Sequence, residues 1–409
     1  MSPDGKAAAR PLDGVRVLAV ENFVAAPIAS MWLADAGAEV VKIEEPGKGD
    51  QSRHMAPFKP DEAGRAQGLS FVRTNRNKRS VTLNLKTEDG KRVFRELAAR
   101  ADVVIENLRP GVMDGLGLGW STLQALNPRL VYVAVSGFGH ADTLPSPYTE
   151  YPAFDIVAQA LSGLMYRPEG AHERPLYLGF SLGDIQAGMV AIQGTLLALL
   201  QRGVTNRGQK VDVSLYDATL VLNELPITLY GATGQQARPG VHAVTAPFGA
   251  YRTADGYIVI AVLGEHVWHR FCHAIGMPQL REDPRFADGV ARNRNLAGLN
   301  ACIQPWLDQR QRAEAVDLLV AAGVPASRVN QVEDIFACPH AAAREMLVTL
   351  DDPTWGAVRV PGSPIKMSDA PGIPLQPPPR LGEHNADVLG RWLGYSAAQA
   401  AALTGGAAA

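Results

Sequence analysis

Short apolar, β-branched runs alternate with segments of helical period through the first third of the chain. Residues 15–20 form one such run, and a helical pattern follows over 27–36 until Gly37 ends it. Residues 39–44 and 80–85 again read as strands. Between Thr87 and Arg100 the apolar positions Val93, Phe94 and Leu97 recur at helical spacing, and Thr87 stands where an N-cap belongs. Residues 102–106 and 130–135 complete a set of strands separated by helices. Such alternation predicts a parallel sheet in an α/β layer architecture. No Gly-x-Gly-x-x-Gly follows the first strand, so the pattern gives no support to a dinucleotide site.

Beyond Arg202 the pattern changes. Residues 208–215 read as a further strand, and an apolar segment runs on to Tyr230. Residues 231–246 are rich in Gly, Pro and polar side chains and read as a linker. Over 249–262 the alternation predicts a hairpin with Asp255-Gly256 at its turn, and helical segments follow to about Ala322. These shifts place a large domain at 1–225, a smaller one at 235–330, and a return to the large domain at 335–409. The tail at 358–380 is dense in proline and is expected to run extended over another surface. Short helices are expected at 387–393 and 396–403.

Composition narrows the function classes. With 409 residues, 46% of them hydrophobic and 20% charged, the chain has an ordinary globular composition. A net charge of -2 offers no electrostatic case for nucleic acid or an anionic membrane as partner. Cys272, Cys302 and Cys338 are odd in number and widely spaced, which fits reduced thiols rather than a disulfide frame or a zinc site. Residues 1–10 lack the apolar core of a signal peptide, and no uninterrupted run approaches the roughly 18 apolar residues of a membrane span. The expectation is a soluble cytoplasmic protein.

Two acids carry the candidate chemistry. Asp184 stands where a loop of small and polar residues, 179–183, enters the apolar segment 185–200, and Asp155 opens a similar run 29 residues earlier. Each would serve as the N-cap of the helix that follows it. The helix dipole would also hold such a carboxylate ionised, ready to act as a nucleophile without a base, while Asp155 could act as acid or base or orient a substrate. His266, His269 and His273 share a helical face beside Cys272, but Trp268 and Phe271 interleave and no ligand set is completed, so a helix with partly buried histidines is the expectation and a metal is rejected. The basic cluster Arg73, Arg76, Lys78 and Arg79 precedes a strand, and Asn107 and Arg109 follow one. Either loop suits an anionic, nucleotide-like ligand such as coenzyme A, although a solvated loop accounts equally for the first.

Taken in order, several segments resemble class III CoA-transferases, the family of formyl-CoA transferase and carnitine CoA-transferase (CaiB/BaiF). They are Pro11-Leu-Asp-Gly-Val-Arg-Val-Leu18, Asp35-Ala-Gly-Ala-Glu-Val-Val-Lys-Ile-Glu44, Asn77-Lys-Arg-Ser-Val-Thr-Leu-Asn-Leu85 and Ala101-Asp-Val-Val-Ile-Glu-Asn-Leu-Arg-Pro-Gly111. The two aspartate motifs, Gly208-Gln-Lys-Val-Asp-Val213, Thr253-Ala-Asp-Gly256, Ala322-Gly-Val-Pro325 and Leu381-Gly-Glu-His-Asn385 follow, covering nearly the whole chain. The resemblance implies an α/β fold, with a Rossmann-like large domain formed by both chain ends, a smaller α/β domain and an interlocked homodimer. It implies that Asp184 is the nucleophile and Asp155 the acid that precedes it. It also implies that Asn107, Arg109, Arg76 and Lys78 lie where the family holds CoA. The implied activity moves CoA from an acyl-CoA thioester to a free carboxylic acid through aspartyl-acyl anhydride and aspartyl-CoA intermediates, without metal or redox cofactor.

Departures sharpen the expectation. Formyl-CoA transferase carries a glutamine after its first strand where this chain has Val24, and its glycine-run loop has no counterpart in 231–246. Racemases of the family carry a histidine before the first aspartate, where this chain has Phe154. Phe154 transfers no proton, so transfer is favoured over racemisation α to the thioester, and Val24 and Phe154 point to an acid larger or less polar than formate.

Overall fold

A computed structural model describes residues 9–62, 64, 66–166, 174–237, 240–242 and 244–404. Residues 1–8 and positions 238, 239 and 243 of the expected linker lie outside the described residues. The described chain divides into two units. One runs up to Met165, from Tyr177 to Asn223 and from Ala343 onward, and the other comprises Tyr166–Leu176 and Glu224–Ala342.

In the first unit, six strands form one sheet: β1 (Arg16–Val20), β2 (Glu39–Glu44), β3 (Arg79–Thr82), β4 (Val103–Glu106), β5 (Val131–Ser136) and β6 (Lys210–Ser214). Their order is β3-β2-β1-β4-β5-β6, with every neighbouring pair parallel. The central strands β1, β4 and β5 read as near-continuous apolar runs because both of their faces are covered. The helices that bear on the site or cover the sheet are α1 (Ala25–Asp35), α2 (Glu88–Ala98), α3 (Asp155–Leu161), α4 (Leu182–Thr205), α5 (Leu215–Leu220) and α6 (Asn385–Leu393). On one face Val17, Ala19, Val103 and Ile105 share a core with Ala29 and Leu33 of α1 and with Ala187 and Ala191 of α4. On the other, Leu18, Val41 and Val104 pack with Phe94 and Leu97 of α2 and with Leu389 and Trp392 of α6. The two-residue period of a strand sends alternate side chains to the two cores.

Strand order reverses between β1 and β4. In open α/β sheets the crevice beyond the carboxyl ends at such a reversal is where ligands bind, and here it is flanked by Asn22–Val24 and by Asn107–Arg109.

Several local expectations are corrected. Helix α1 starts at Ala25, two residues before Pro27, because a first-turn proline withholds only an N–H that has no helical partner. Thr87 caps α2 as expected, its hydroxyl accepting from Gly90 N at 3.1 Å. The proline-dense tail begins extended, as expected, and its first residues are paired. Residues 358–361 belong to a strand, Gly356–Pro361, paired antiparallel with Leu347–Asp352. Helix α4, at 24 residues, is long and apolar enough by length and composition to cross a membrane, a test that core helices also pass, and one of its stripes (Ala187, Gly188, Ala191, Thr195, Ala198) is buried in the fold.

The second unit holds a three-stranded antiparallel sheet, Ala326–Arg328, Gly256–Ala261 and Phe248–Thr253, whose hairpin turns at Ala254-Asp255. Its helix Glu265–Ala274 buries Trp268, Phe271 and Cys272 and leaves His266, His269 and His273 exposed rather than partly buried.

Candidate active site

Neither aspartate caps its own helix. Asp155 is the first residue of α3, behind Phe154 at the N-cap, and Asp184 is the third residue of α4, which begins at Leu182 rather than Ile185. Asp155 instead caps α4: its Oδ1 accepts from Gly183 N at 2.6 Å and from Asp184 N at 3.3 Å. Gln159 Nε2 donates to Asp155 Oδ2 at 2.7 Å and to Phe180 O at 3.0 Å, fixing the carboxylate from its other side. Gly183 makes this approach possible. A Cβ there would stand 2.9 Å from Thr219 Oγ1 and 3.1 Å from Asp155 Oδ1.

The consequence for Asp184 reverses the expectation from the helix dipole. The first-turn amides serve Asp155, so they do not hold Asp184 ionised. Burial, and then the neighbouring charge of Asp155, push the Asp184 carboxyl up to about 7, against the pull of Arg73 and a hydrogen bond from Ser181. A buried carboxylate raised this far is the pattern of a reactive group.

Arg73 directly follows the short helix Leu69–Val72, where its N–H donates to Leu69 O at 3.1 Å, and it is exposed, its guanidinium without a hydrogen bond or ion pair among the described residues. The other members of its basic cluster are committed elsewhere. Arg76 is buried on Asp35, Nη2 to Oδ2 at 2.6 Å, and donates to Pro361 O at 2.8 Å. Lys78 is buried on Glu21 at 2.7 Å and also donates to Pro27 O and Asn75 Oδ1, each at 2.9 Å. These two residues therefore do not present their charges to a ligand, contrary to the CoA-binding expectation. A basic run in sequence does not reveal acids 41 and 57 positions away.

At the strand-order reversal, Asn107 grips the loop after β1. Its Oδ1 accepts from Asn22 N and its Nδ2 donates to Asn22 O, both at 2.8 Å. Both ends of this amide are engaged by backbone, so Asn107 holds the loop, while Arg109 is exposed without a partner among the described residues. The loop ends in Phe23 at φ 65°, a conformation that side chains rarely adopt, held by a 3.2 Å hydrogen bond from Phe23 N to Asp50 Oδ1. Backbone strain of this kind persists where its surroundings over-determine it. The Phe23 ring meets Phe154 edge-on, centroids 6.4 Å apart, and Val24 follows as the N-cap of α1. Helix α1 packs directly on α4 one turn beyond Asp184: a Cβ on Gly188 would lie 2.8 Å from Ala25 O. Val24, Phe154, Asp155 and Asp184 are thus brought to one end of the sheet. Sequence reasoning missed Phe23 and Gln159, which carry no motif of their own, and the small residue at Gly183, whose missing Cβ leaves room for Asp155.

Fold and site together define an α/β enzyme with a perturbed carboxylate at the ligand-binding edge of its sheet, and relatives give that class its chemistry. Residues 12–385 match CoA-transferase family III. A succinyl-CoA--D-citramalate CoA-transferase of Chloroflexus aurantiacus is 35% identical over 390 residues, covering 95% of each chain. A succinyl-CoA:mesaconate CoA-transferase of Haloarcula marismortui is 37% identical, covering 92% of this chain and 95% of its own. Among solved structures, a CAIB/BAIF family protein from Brucella suis superposes with a TM-score of 0.81 at 33% identity, covering 94% of this chain and 100% of its own. The chain is a CoA-transferase, and it belongs to CoA-transferase family III.

Proposed function

We propose that the enzyme moves CoA between two carboxylic acids with Asp184 as nucleophile. The carboxylate oxygen attacks the donor's thioester carbon, the C–S bond breaks, and CoA leaves as thiolate from an aspartyl-acyl anhydride. The thiolate attacks the Asp184 carbonyl and expels the donor acid, leaving an aspartyl-CoA thioester. The acceptor carboxylate then displaces CoA to form a second anhydride, and the returning thiolate takes the new acyl group and frees Asp184. Each step exchanges a carboxylate for a thiolate, so CoA itself is the only group the chemistry requires. Asp155 orients the first turn of α4, and Phe23 and Phe154 help keep water from an anhydride that it would hydrolyse. Arg109, exposed at the strand-order reversal, is our choice for the nucleotide end of CoA.

The observation that carries this reading is the Asp155–Asp184 pair, one acid holding the helix terminus and the other left desolvated. Relatives named for D-citramalate, L-malate and mesaconate support an acid with two carboxylates. Racemisation is the alternative. It needs two opposed proton-transfer groups, and the N-cap before Asp155 is Phe154. The reading extends to a Rossmann-like sheet, supported by the strand order, and to a cytoplasmic, interlocked homodimer. Leu197, Leu200 and Val204 of α4 are 67%, 71% and 89% exposed, an apolar face that a second copy would cover.

Incubation with an acyl-CoA and hydroxylamine should leave a hydroxamate on Asp184, mapped by mass spectrometry. Asp184→Ala should lose transfer by at least about a thousandfold, roughly 4 kcal/mol in the barrier. Retained transfer in that variant defeats the assignment. Deuterium wash-in at the α-carbon without an acceptor acid favours the racemase.

A further inference from the structure

Of the arginines at 73, 76 and 79, two are used by the fold. Arg76 lies buried on Asp35, and Arg79 bridges Asp387 at 2.7 Å and Glu39 at 3.4 Å. Arg73 has no such partner among the described residues, and its position is not free to wander. The turn that follows it is fastened to the first turn of α1. Asn75 Nδ2 donates to Phe71 O at 2.9 Å, and Lys78 Nζ links Asn75 Oδ1 to Pro27 O, each at 2.9 Å. Helix α1 in turn lies directly against Gly188 of α4. The segments that carry Arg73 and Asp184 are thus both fastened to the first turn of α1, one through Asn75 and Lys78 and the other through Gly188, with Val24 at the head of that helix and the Phe23–Phe154 ring pair beside it.

The two do not form an ion pair, yet the positive charge of Arg73 reaches Asp184 and pulls its carboxyl down. A stand-off between an unpaired guanidinium and a reactive carboxylate, with apolar walls alongside, fits a short carbon chain carrying an acid at each end. One carboxylate exchanges CoA at Asp184 and the other meets the guanidinium fork, which matches a carboxylate with two parallel hydrogen bonds. A monocarboxylic acid of equal length would leave that fork to water and forgo the charge-assisted pair.

We propose that Arg73 is a specificity-determining residue that binds the second carboxylate of a dicarboxylic substrate. The inference rests on the reading of Asp184 as nucleophile.

The test measures kcat/KM with acetyl-CoA as donor and either succinate or butyrate as acceptor, acids of equal length that differ by one carboxylate. The succinate-to-butyrate ratio should favour succinate in the wild type and fall at least about tenfold in Arg73→Gln, as loss of one charge-assisted pair predicts. The loss should be carried mainly by KM for the acid. Arg73→Lys, which keeps the charge but not the fork, should recover part of the ratio. A ratio unchanged in Arg73→Gln, or equal loss with both acids, overturns the proposal. Trapping of the acyl group on Asp184 runs alongside. An adduct with an unchanged ratio removes the Arg73 anchor alone, whereas no adduct and no turnover of either acid removes the nucleophile reading and the anchor with it.

Discussion

Two groups of buried charge lie at the carboxyl edge of the sheet, and they are balanced on opposite terms. Glu21, Lys42, Asp50 and Lys78 form a closed set of two acids and two bases, each at most 3% exposed. Lys42 Nζ stands 2.8 Å from Asp50 and 3.3 Å from Glu21, Lys78 stands 2.7 Å from Glu21, and Ser30 donates to Glu21 Oε2 at 2.8 Å. Burial alone would raise the Glu21 carboxyl, but Lys78 and Lys42 hold it below the usual range. Among the described residues the Asp155–Asp184 pair has no cation in contact, and Asp184 is pushed up instead. Compensated charge builds the platform: Lys78 holds Pro27 O, and Asp50 holds Phe23 N. Uncompensated charge is left at the proposed nucleophile.

The sharpest way to break this contrast is to uncompensate the first cluster. Lys78→Met leaves Glu21 buried with one of its two cations, and loss of one partner from a buried pair costs about 3–5 kcal/mol. Urea denaturation should show that loss, whereas substitutions at Asp184 should not destabilise the fold. If Lys78→Met unfolds at the wild-type midpoint, the cluster does not hold the platform.

A smaller effect separates activity from stability at the second cluster. Gly183→Ala would place its Cβ 2.9 Å from Thr219 Oγ1 and 3.1 Å from Asp155 Oδ1, so Thr219 must shift and Asp155 must give by a few tenths of an ångström at the helix terminus. Alanine favours a helix over glycine by about 1 kcal/mol, which offsets part of the crowding. The expected outcome is a melting temperature near wild type with kcat/KM down by roughly tenfold, less than the roughly hundredfold that a full 1 Å displacement costs in a reacting site. Equal losses of both would mean that Gly183 serves packing alone.

The legible part of this molecule is what depends on neighbours along the chain. The apolar runs at β1, β2 and β4 and the Thr87 cap depend on local pattern, and they stand within a residue or two of their expected places. What depends on distant partners was not legible. That Asp155 caps α4, 28 residues on, could not be read from either aspartate's surroundings, since both precede apolar helices. Arg73 and Arg76 are the same residue type three positions apart; only Asp35, 41 residues away, makes one structural and leaves the other free. The left-handed backbone of Phe23 is set by Asp50 and Asn107, and nothing in an aromatic residue announces it.

The smallest effect is the most specific to Asp184. Its folded carboxyl is raised to about 7 from the ordinary 3.8, so the folded state binds that proton more tightly than the unfolded chain does. The sign follows from that. At pH below the unfolded value both states are protonated and there is no penalty; the penalty grows as pH rises and is complete above about 7. Asp184→Asn carries no such penalty. Its stability relative to wild type should therefore improve between about pH 4 and pH 8, by about 1–2 kcal/mol once part exposure is allowed for, and its melting temperature should gain on the wild type's by roughly 1–2 °C over the same range. Glu106, which burial also raises to about 7, titrates in both proteins and cancels from the difference. The wild-type kcat/KM should climb through the same window as the nucleophile ionises. A stability difference that stays flat from about pH 4 to pH 8 would mean that Asp184 meets water or a cation as an ordinary surface carboxylate does, and the contrast between the two clusters would go with it.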